Sequence, residues 1–378
     1  MASKERVLVT GGAGFIGSFI VDELVERGYE VRVLDNLEPQ VHGAGGAVPG
    51  YLNAGAELIK GDVRDEDVLR RALDGVEVLF HQAAMVGVGQ SMYQIRRYTE
   101  ANAVGAASIL DVIAEGKTSV GKMLVASSMS IYGEGKYECK KCGLVYPRLR
   151  SVEQLDAGVW EMQCAVCGET AGPLPTDEDK PLFPTSIYAV NKRDHEEMFL
   201  AVGTAYKIPT VALRYFNVYG PRQALSNPYT GVCAIFSSRL LNRKSPVIYE
   251  DGLQSRDFVH VTDIVQANML AMEKEEADYG VFNVGSGRSL AILDIAKILA
   301  EKIAPDCGIE PEIAAKFREG DIRHCFADIS RIREVLGYEP RVEFEDGIDD
   351  LTQWVKTQVA EDRFEEAKKE LEQRGLTT

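Results

Sequence analysis

Long apolar runs are missing from this 378-residue chain. None approaches the ~18 residues needed to cross a bilayer, so no spanning helix is expected. Positive charge is scarce as well. Lys and Arg number 42 against 58 Asp and Glu, a net charge of −16, which argues against non-specific nucleic-acid binding, although a local arginine cluster can still hold an anionic ligand. A leader is wanting too, since Met1-Ala2-Ser3-Lys4-Glu5 runs straight into a strand without an apolar stretch or a cleavage-like site. A soluble cytoplasmic protein is the expectation. Cysteine is sparse, seven in all, and four of them crowd into one segment in the manner of a metal site rather than a disulfide framework. What remains is ordinary for a globular protein with a proper core: 45% apolar and 26% charged residues, enough chain for two domains or one large domain with insertions.

The first two hundred residues alternate strands with amphipathic helices. Arg6-Val7-Leu8-Val9-Thr10 reads as a buried strand and leads into Gly11-Gly12-Ala13-Gly14-Phe15-Ile16-Gly17. Ile16, Ile20 and Leu24 then recur on one helical face, with Gly28 where a helix would stop. Glycines at such a turn let the backbone approach a pyrophosphate, and the helix N-terminus supplies N–H groups and partial positive charge. The next strand, Glu30–Leu34, ends in Asp35. A carboxylate there binds both ribose hydroxyls of an adenosine and repels a 2′-phosphate, so NAD is favoured over NADP. Further strands are predicted at 57–62, 76–81, 122–126 and 209–213, with Asp62 in reach of the adenine and Gln82-Ala83-Ala84 beside the cofactor. Alternation of this kind implies a Rossmann-type α/β fold, a doubly wound parallel sheet with ligands at the strands' C-terminal ends.

Thr185-Ser186-Ile187-Tyr188-Ala189-Val190-Asn191-Lys192 carries the chemistry. A Tyr and a Lys four residues apart share one helix face, and an adjacent ammonium favours the phenolate. A surface pair on an ordinary helix is the plain alternative. Ser127, Ser128, Ser130 and Tyr132 follow the fifth strand at the same rim; serines there are usually turn formers, but these face the position where Tyr188 must arrive.

Taken together, Gly11/Gly14/Gly17, Asp35, Asp62, Ala83-Ala84, Ser128 four residues before Tyr132-Gly133, Tyr188/Lys192 and the run Arg214-Tyr215-Phe216-Asn217-Val218-Tyr219-Gly220-Pro221-Arg222 resemble the extended short-chain dehydrogenase/reductases of the nucleotide-sugar epimerase/dehydratase family. The resemblance implies Tyr188 as catalytic base and acid, Lys192 as the group that lowers its pKa and holds the nicotinamide ribose, and Ser128 as hydrogen-bond partner of the reacting sugar oxygen. It also implies tightly bound NAD, contacted by Phe15, Ile16, Asn36, Val63, Asn102 and Tyr215 besides the residues above. Ser130, Asn217, Arg222 and Tyr249 would touch the sugar nucleotide, and the chain would form a homodimer through helices near 92–115 and 188–204. Family dehydratases and decarboxylases resemble one another in carrying acids at the two positions after the Ser/Thr; here these are Met129-Ser130. A thioether cannot transfer protons and an unactivated hydroxyl is a poor base, so epimerisation is expected, by hydride removal from sugar carbon 4 and return to the other face. The runs Val33–Gly43 and Gly89–Tyr93, with the Cys-bearing insert, further resemble the dTDP-L-rhamnose 4-epimerase branch of that family. UDP-hexose 4-epimerisation and 4,6-dehydration follow as alternatives, and a non-catalytic NAD-binding redox sensor is the reading from outside enzymology.

About forty extra residues separate Gly133 from Thr185. They hold Cys139-Lys-Lys-Cys142-Gly143 and Cys164-Ala-Val-Cys167-Gly168, two knuckles suited to a tetrahedral thiolate site, so one structural zinc in a ribbon is expected. Disulfides are the competing reading. Val152, Leu155, Val159, Trp160 and Met162 are candidate core residues of the ribbon, and Cys233, Cys307 and Cys325 read as buried fillers. In the second half, Arg256 and Arg323 are candidates for a diphosphate clamp, against the plainer reading of ion pairs with Asp257 and Asp321. Ser289 is positioned to cap a helix carrying Ile292, Ile295, Ala296 and Leu299 on its buried face. The expected division is an NAD-binding domain over 1–222 with the ribbon at 135–172, and a nucleotide-sugar domain over 223–378 with 258–287 partly returning to the first. Residues 359 to 374 read as a charged terminal helix with little to say about function.

Overall fold

The computed structural model describes residues 5–43, 45–318 and 320–377; the leader reading over Met1–Lys4, and Glu319, fall outside them. Seven short strands form one parallel sheet: β1 Arg6–Thr10, β2 Glu30–Asp35, β3 Glu57–Lys60, β4 Val78–His81, β5 Lys122–Ser128, β6 Thr210–Tyr215 and β7 Val281–Val284. Their order is β7-β6-β5-β4-β1-β2-β3. Val7, Leu8 and Val9 of β1 and Val211, Ala212 and Leu213 of β6 are all wholly buried, because helices cover both faces and leave no side of the strand for a polar residue. The strands are laid down outward from β1 to β3 on one side and from β4 to β7 on the other, and this switch in strand order between β1 and β4 opens a crevice at their C-terminal ends.

Helix α1 (Phe15–Glu26) packs Ile20 and Leu24 on one face of the sheet beside Ile264 and Ala267 of the helix Val261–Glu273. On the other face, Leu69, Ile109, Leu110 and Phe199 form the matching layer, Phe199 coming from α2 (Ile187–Tyr206). The later chain builds its own core from Phe236, Ile295, Leu299, Ile348 and Leu351 on three further helices. The helix Ile292–Ile303 buries the face expected of it, but it starts at Ala291 without a side-chain cap. Ser289 instead donates to the Ser255 hydroxyl at 2.9 Å.

The insert folds as a three-stranded antiparallel sheet of Lys136–Cys139, Gly143–Val145 and Gly172–Leu174, two residues beyond the expected end at 172. Its core is Tyr137, Met162 and Ala171 with Cys139 and Cys164. Of the fillers expected, Leu155 and Met162 are buried, whereas Val152 and Val159 are exposed: a three-stranded sheet has one covered face, and the short helix Val152–Asp156 lies outside it. Cys233 and Cys325 are buried as expected, but Cys307 is exposed. Among the described residues, no helix is long and apolar enough to cross a membrane.

Candidate active site

A cleft of about 700 Å³ runs along the C-terminal ends of the strands. Its floor is backbone against backbone. A Cβ on Gly17 would stand 2.2 Å from the Gly11 carbonyl oxygen, and one on Gly11, at φ +70°, 2.7 Å from the Ala83 nitrogen. Only glycine permits that approach. Helix α1 begins at the cleft with no acidic residue in its first turn and no side-chain cap, so its own residues leave the partial positive charge of its N-terminus available. Asp35 closes the next strand. Its carboxylate accepts from the Ala13 and Leu37 N–H groups at 3.0 and 2.9 Å, which fixes it at the wall with lone pairs to spare. Asp62 is gripped by the Arg64 guanidinium at 2.8 and 2.7 Å, with Asn36 donating at 3.3 Å; the Arg64 bonds hold its carboxyl below the usual range. Phe15, Ile16, Val63, Ala84 and Tyr215 line the same cleft, the Tyr215 hydroxyl being bonded to Asn268 at 2.8 Å and to Gln82 at 3.1 Å. Glycine floor, helix terminus and ribose carboxylate together fit NAD.

Asn102 does not join them. It sits fully buried in a π-helical turn, Glu100–Val104, and its amide both accepts from the Met85 N–H (2.7 Å) and donates to the Met85 carbonyl (3.1 Å). With its side chain spent on pinning the tail of β4, none of it faces the cleft.

Ser186 caps α2 by accepting from the Ala189 N–H at 3.1 Å, which starts the helix just before Tyr188. Tyr188 and Lys192 lie one turn apart on its buried face and both line the cleft, as do Ser128, Met129 and Ser130. The Ser128 hydroxyl, at the end of β5, accepts from Ser130 N–H and Oγ at 3.2 and 3.0 Å. Burial pushes the Tyr188 phenol up to about 12, with Ser128 pulling it part of the way back. Burial also pushes the Lys192 amine down to about 7. Its Nζ donates to the Ala126 carbonyl at 2.7 Å. The expected lowering of Tyr188 by Lys192 is therefore absent among the protein's own groups: the lysine turns to a carbonyl, and desolvation dominates.

On the substrate side, Asn217 and Tyr249 line the cleft. The Asn217 Oδ1 is buried without a partner among the described residues, a polar atom that a ligand donor would satisfy. Arg256 lines it too. Its NH1 donates to the Ser255 and Arg323 carbonyls at 2.8 and 2.9 Å and its NH2 to the Ile322 carbonyl at 2.7 Å, so it is held by backbone rather than by Asp257.

Two expected arginines are elsewhere. Arg222, in a left-handed conformation (φ +70°), lies over the Phe19 ring at 4.1 Å and pairs with Asp22 at 2.7 Å; the turn points it at α1. Arg323 is wholly buried and surrounded by Glu161, Glu250 and Asp251. An arginine that does reach the cleft alongside Arg256 is Arg318, its guanidinium 4.6 Å from the Tyr249 ring centroid and its Nε on Asp321 at 2.9 Å. It stands five residues before Arg323, with a turn at Gly320 (φ +86°) between the two. Helix α3 (Phe364–Glu372) lies within the charged terminal helix expected over 359 to 374, but its place at the site was not expected: Phe364, Ala367, Lys368 and Leu371 line the cleft, and no motif announces it.

The Sγ atoms of Cys139, Cys142, Cys164 and Cys167 all lie within 4.8 Å of one another, a cluster able to hold a metal ion; all seven cysteines are free thiols.

Residues 7–148 and 158–285 match the NAD dependent epimerase/dehydratase family, and the chain belongs to that family of enzymes. It is 37% identical over 357 residues, 94% of this chain and 96% of the relative, to dTDP-L-rhamnose 4-epimerase of Burkholderia thailandensis. It is also similar to UDP-glucose 4-epimerase from Thermotoga maritima with UDP-glucose (TM-score 0.74, 32% identity, 93% and 98% of the two chains covered). A third likeness is to the Thermus thermophilus UDP-glucose 4-epimerase in complex with NAD (TM-score 0.72, 30% identity, 94% and 100% covered).

Proposed function

We propose that this protein is an NAD-dependent nucleotide-sugar 4-epimerase acting on dTDP-L-rhamnose or a related dTDP-hexose. One observation carries the choice of epimerisation over elimination. Each acid lining the cleft among the described residues is already engaged: Asp35 by two backbone N–H groups, Glu38 by Arg97, Asp62 by Arg64, Glu250 by Arg150 and Arg323, and Asp321 by Arg318. With Met129 beside Ser128, no carboxyl is left over for the second proton transfer that loss of water requires.

NAD, held by the Gly11–Gly17 turn and Asp35, would supply the hydride acceptor and donor. The protein's share is to move one proton and to hold the sugar. Tyr188 Oη, as the phenolate, accepts the proton of the sugar C4 hydroxyl and later returns it, while Ser128 Oγ bonds the same oxygen. Lys192 steadies the pair. Asn217, Arg256 and Arg318 hold the nucleotide diphosphate, so the oxidised sugar can turn over without leaving. UDP-hexose 4-epimerisation is the second reading, favoured by the likeness to the Thermotoga enzyme.

The four thiolates leave no open position, so the ribbon would carry one structural zinc, kept reduced in the cytoplasm. Exposed Ile95, Val104 and Val190 on the helices along 95–114 and on α2 support a homodimer. Residues 1–222 would serve NAD and 223–378 the sugar nucleotide.

Incubation with dTDP-, UDP-, GDP- and CDP-sugars tests the reading: reversible inversion at C4 with dTDP-L-rhamnose is expected, and a stable 4-keto-6-deoxy product would overturn it. Tyr188→Phe should abolish turnover with NAD retained.

A further inference from the structure

We propose that the four-cysteine insert positions the diphosphate-binding arginine, with Glu161 as the positioning residue that ties the insert to Arg256. The inference rests on Arg256 as a diphosphate ligand and goes beyond it.

Arg323 is the hinge of the connection. Its guanidinium is wholly buried and points into the insert, where Glu161 Oε1 accepts from its Nε and NH2 at 3.1 and 2.5 Å. Its main-chain carbonyl points the other way and accepts from Arg256 NH1 at 2.9 Å. A second route runs in parallel. Glu161 Oε2 lies 3.1 Å from His324 Nε2, and His324 Nδ1 lies 2.8 Å from the Ser255 hydroxyl. The Ser255 carbonyl is another acceptor of Arg256. Both routes from the insert end at the same guanidinium.

The insert grips the neighbouring segment as well. Arg150 donates to both oxygens of Glu250 at 2.9 and 2.8 Å. Glu250 follows Tyr249 in a left-handed conformation (φ +57°), an unfavourable state for a non-glycine residue that persists only when neighbours hold it. Glu161 is placed in turn by the ribbon, since the adjacent Met162 carbonyl accepts from Ala171 N–H at 2.9 Å and Cys164 lies three residues on. A buried guanidinium that loses one of its three carboxylates settles further onto the remaining two, Glu250 and Asp251; when Arg323 shifts, the carbonyls that aim Arg256 shift with it.

The test compares full-length wild type with Glu161→Gln and Glu161→Asp. dTDP and UDP affinity is measured by calorimetry, NAD content by absorbance, and KM and kcat on whichever nucleotide sugar the wild type converts. Glu161 is half-exposed, so the substitutions are tolerated by the fold. Glu161→Gln should weaken dTDP about tenfold and raise KM by about the same factor. NAD content and kcat should stay near wild type, and Glu161→Asp should recover part of the loss. Arg150→Lys should move the same two quantities in the same direction. Unchanged dTDP affinity in Glu161→Gln and Arg150→Lys overturns the inference. So does a joint fall of NAD content, kcat and melting temperature, which would mark a general folding role. A wild type that binds dTDP yet epimerises nothing would refute the proposed function and leave the inference standing.

Discussion

Lys192 offers a test of the site that needs no substrate. Its amine is almost fully buried and faces the Ala126 carbonyl and, at 3.5 Å, His195 Nδ1. Tyr188 lies one turn back on α2, and His81 packs beside His195 with ring centroids 5.0 Å apart. Among the described residues no carboxylate is hydrogen-bonded to it, and burial takes the amine from 10.5 down to about 7. At 1.36 kcal/mol per pH unit that fall is worth roughly 5 kcal/mol at most. The folded protein gives up this proton before the unfolded chain does, so the buried charge costs stability below about 7, and the cost is relieved as pH rises toward 10.5. Stability should therefore climb by up to ~1.4 kcal/mol per unit across this window. Tyr188 works in the other direction only above 10, because its folded value is raised to about 12, and it does so in both proteins. His195 is held well below its ordinary value and His81 at about 3 by burial, so neither titrates in the window. For a chain of this length, ~1 kcal/mol moves the melting temperature by roughly 1.3 °C if unfolding is cooperative. Protein freed of nucleotide should thus show wild type gaining on Lys192→Met by about 4–5 °C between pH 7 and 10 in differential scanning calorimetry. Melting curves that stay parallel across that range would refute the claim that a desolvated ammonium sits one turn from the Tyr188 phenol.

Arg318→Ala should raise KM for the nucleotide sugar about tenfold or more with little change in melting temperature. Arg323→Ala should instead destabilise the fold by about 3–5 kcal/mol, because three carboxylates lose their buried partner; steady-state kinetics and thermal melts separate the two. Gly17→Ala should abolish NAD retention, read by absorbance of the purified protein, because its Cβ has only 2.2 Å to the Gly11 oxygen. Metal analysis should find about one zinc per chain, and a strong chelator should lower the melting temperature. A protein prepared without chelator that contains no zinc would count against the ribbon site.

Sequence reasoning reached the sheet because buried parallel strands are apolar on both sides, so Val7–Val9 and Val211–Leu213 stand out whatever surrounds them. The glycine loop, Asp35, Tyr188 and Lys192 were legible for a related reason: each depends on spacing within one element. Arg222, Arg323 and Asn102 were misplaced because their direction is set by what lies across the fold. Asp22 and the Phe19 ring capture Arg222. Three carboxylates from two distant segments capture Arg323, and one of them belongs to the insert. Asn102 is turned onto Met85 inside a π-helical turn. Helix α3 reads as a charged surface helix since only Ala367 and Leu371 of its nine residues are buried, too few to signal that its face meets ligand space.

That last helix has a practical side. Leu371 comes close to Gly89, Arg374 covers the Tyr93 ring at 4.3 Å, and the Thr377 hydroxyl donates to the Phe317 carbonyl at 3.2 Å, next door to Arg318. The last described residues thus lie beside Arg318 and the α3 side chains that line the cleft, and a tag fused after them is expected to crowd it. Fusions used to assay this protein belong at its other end.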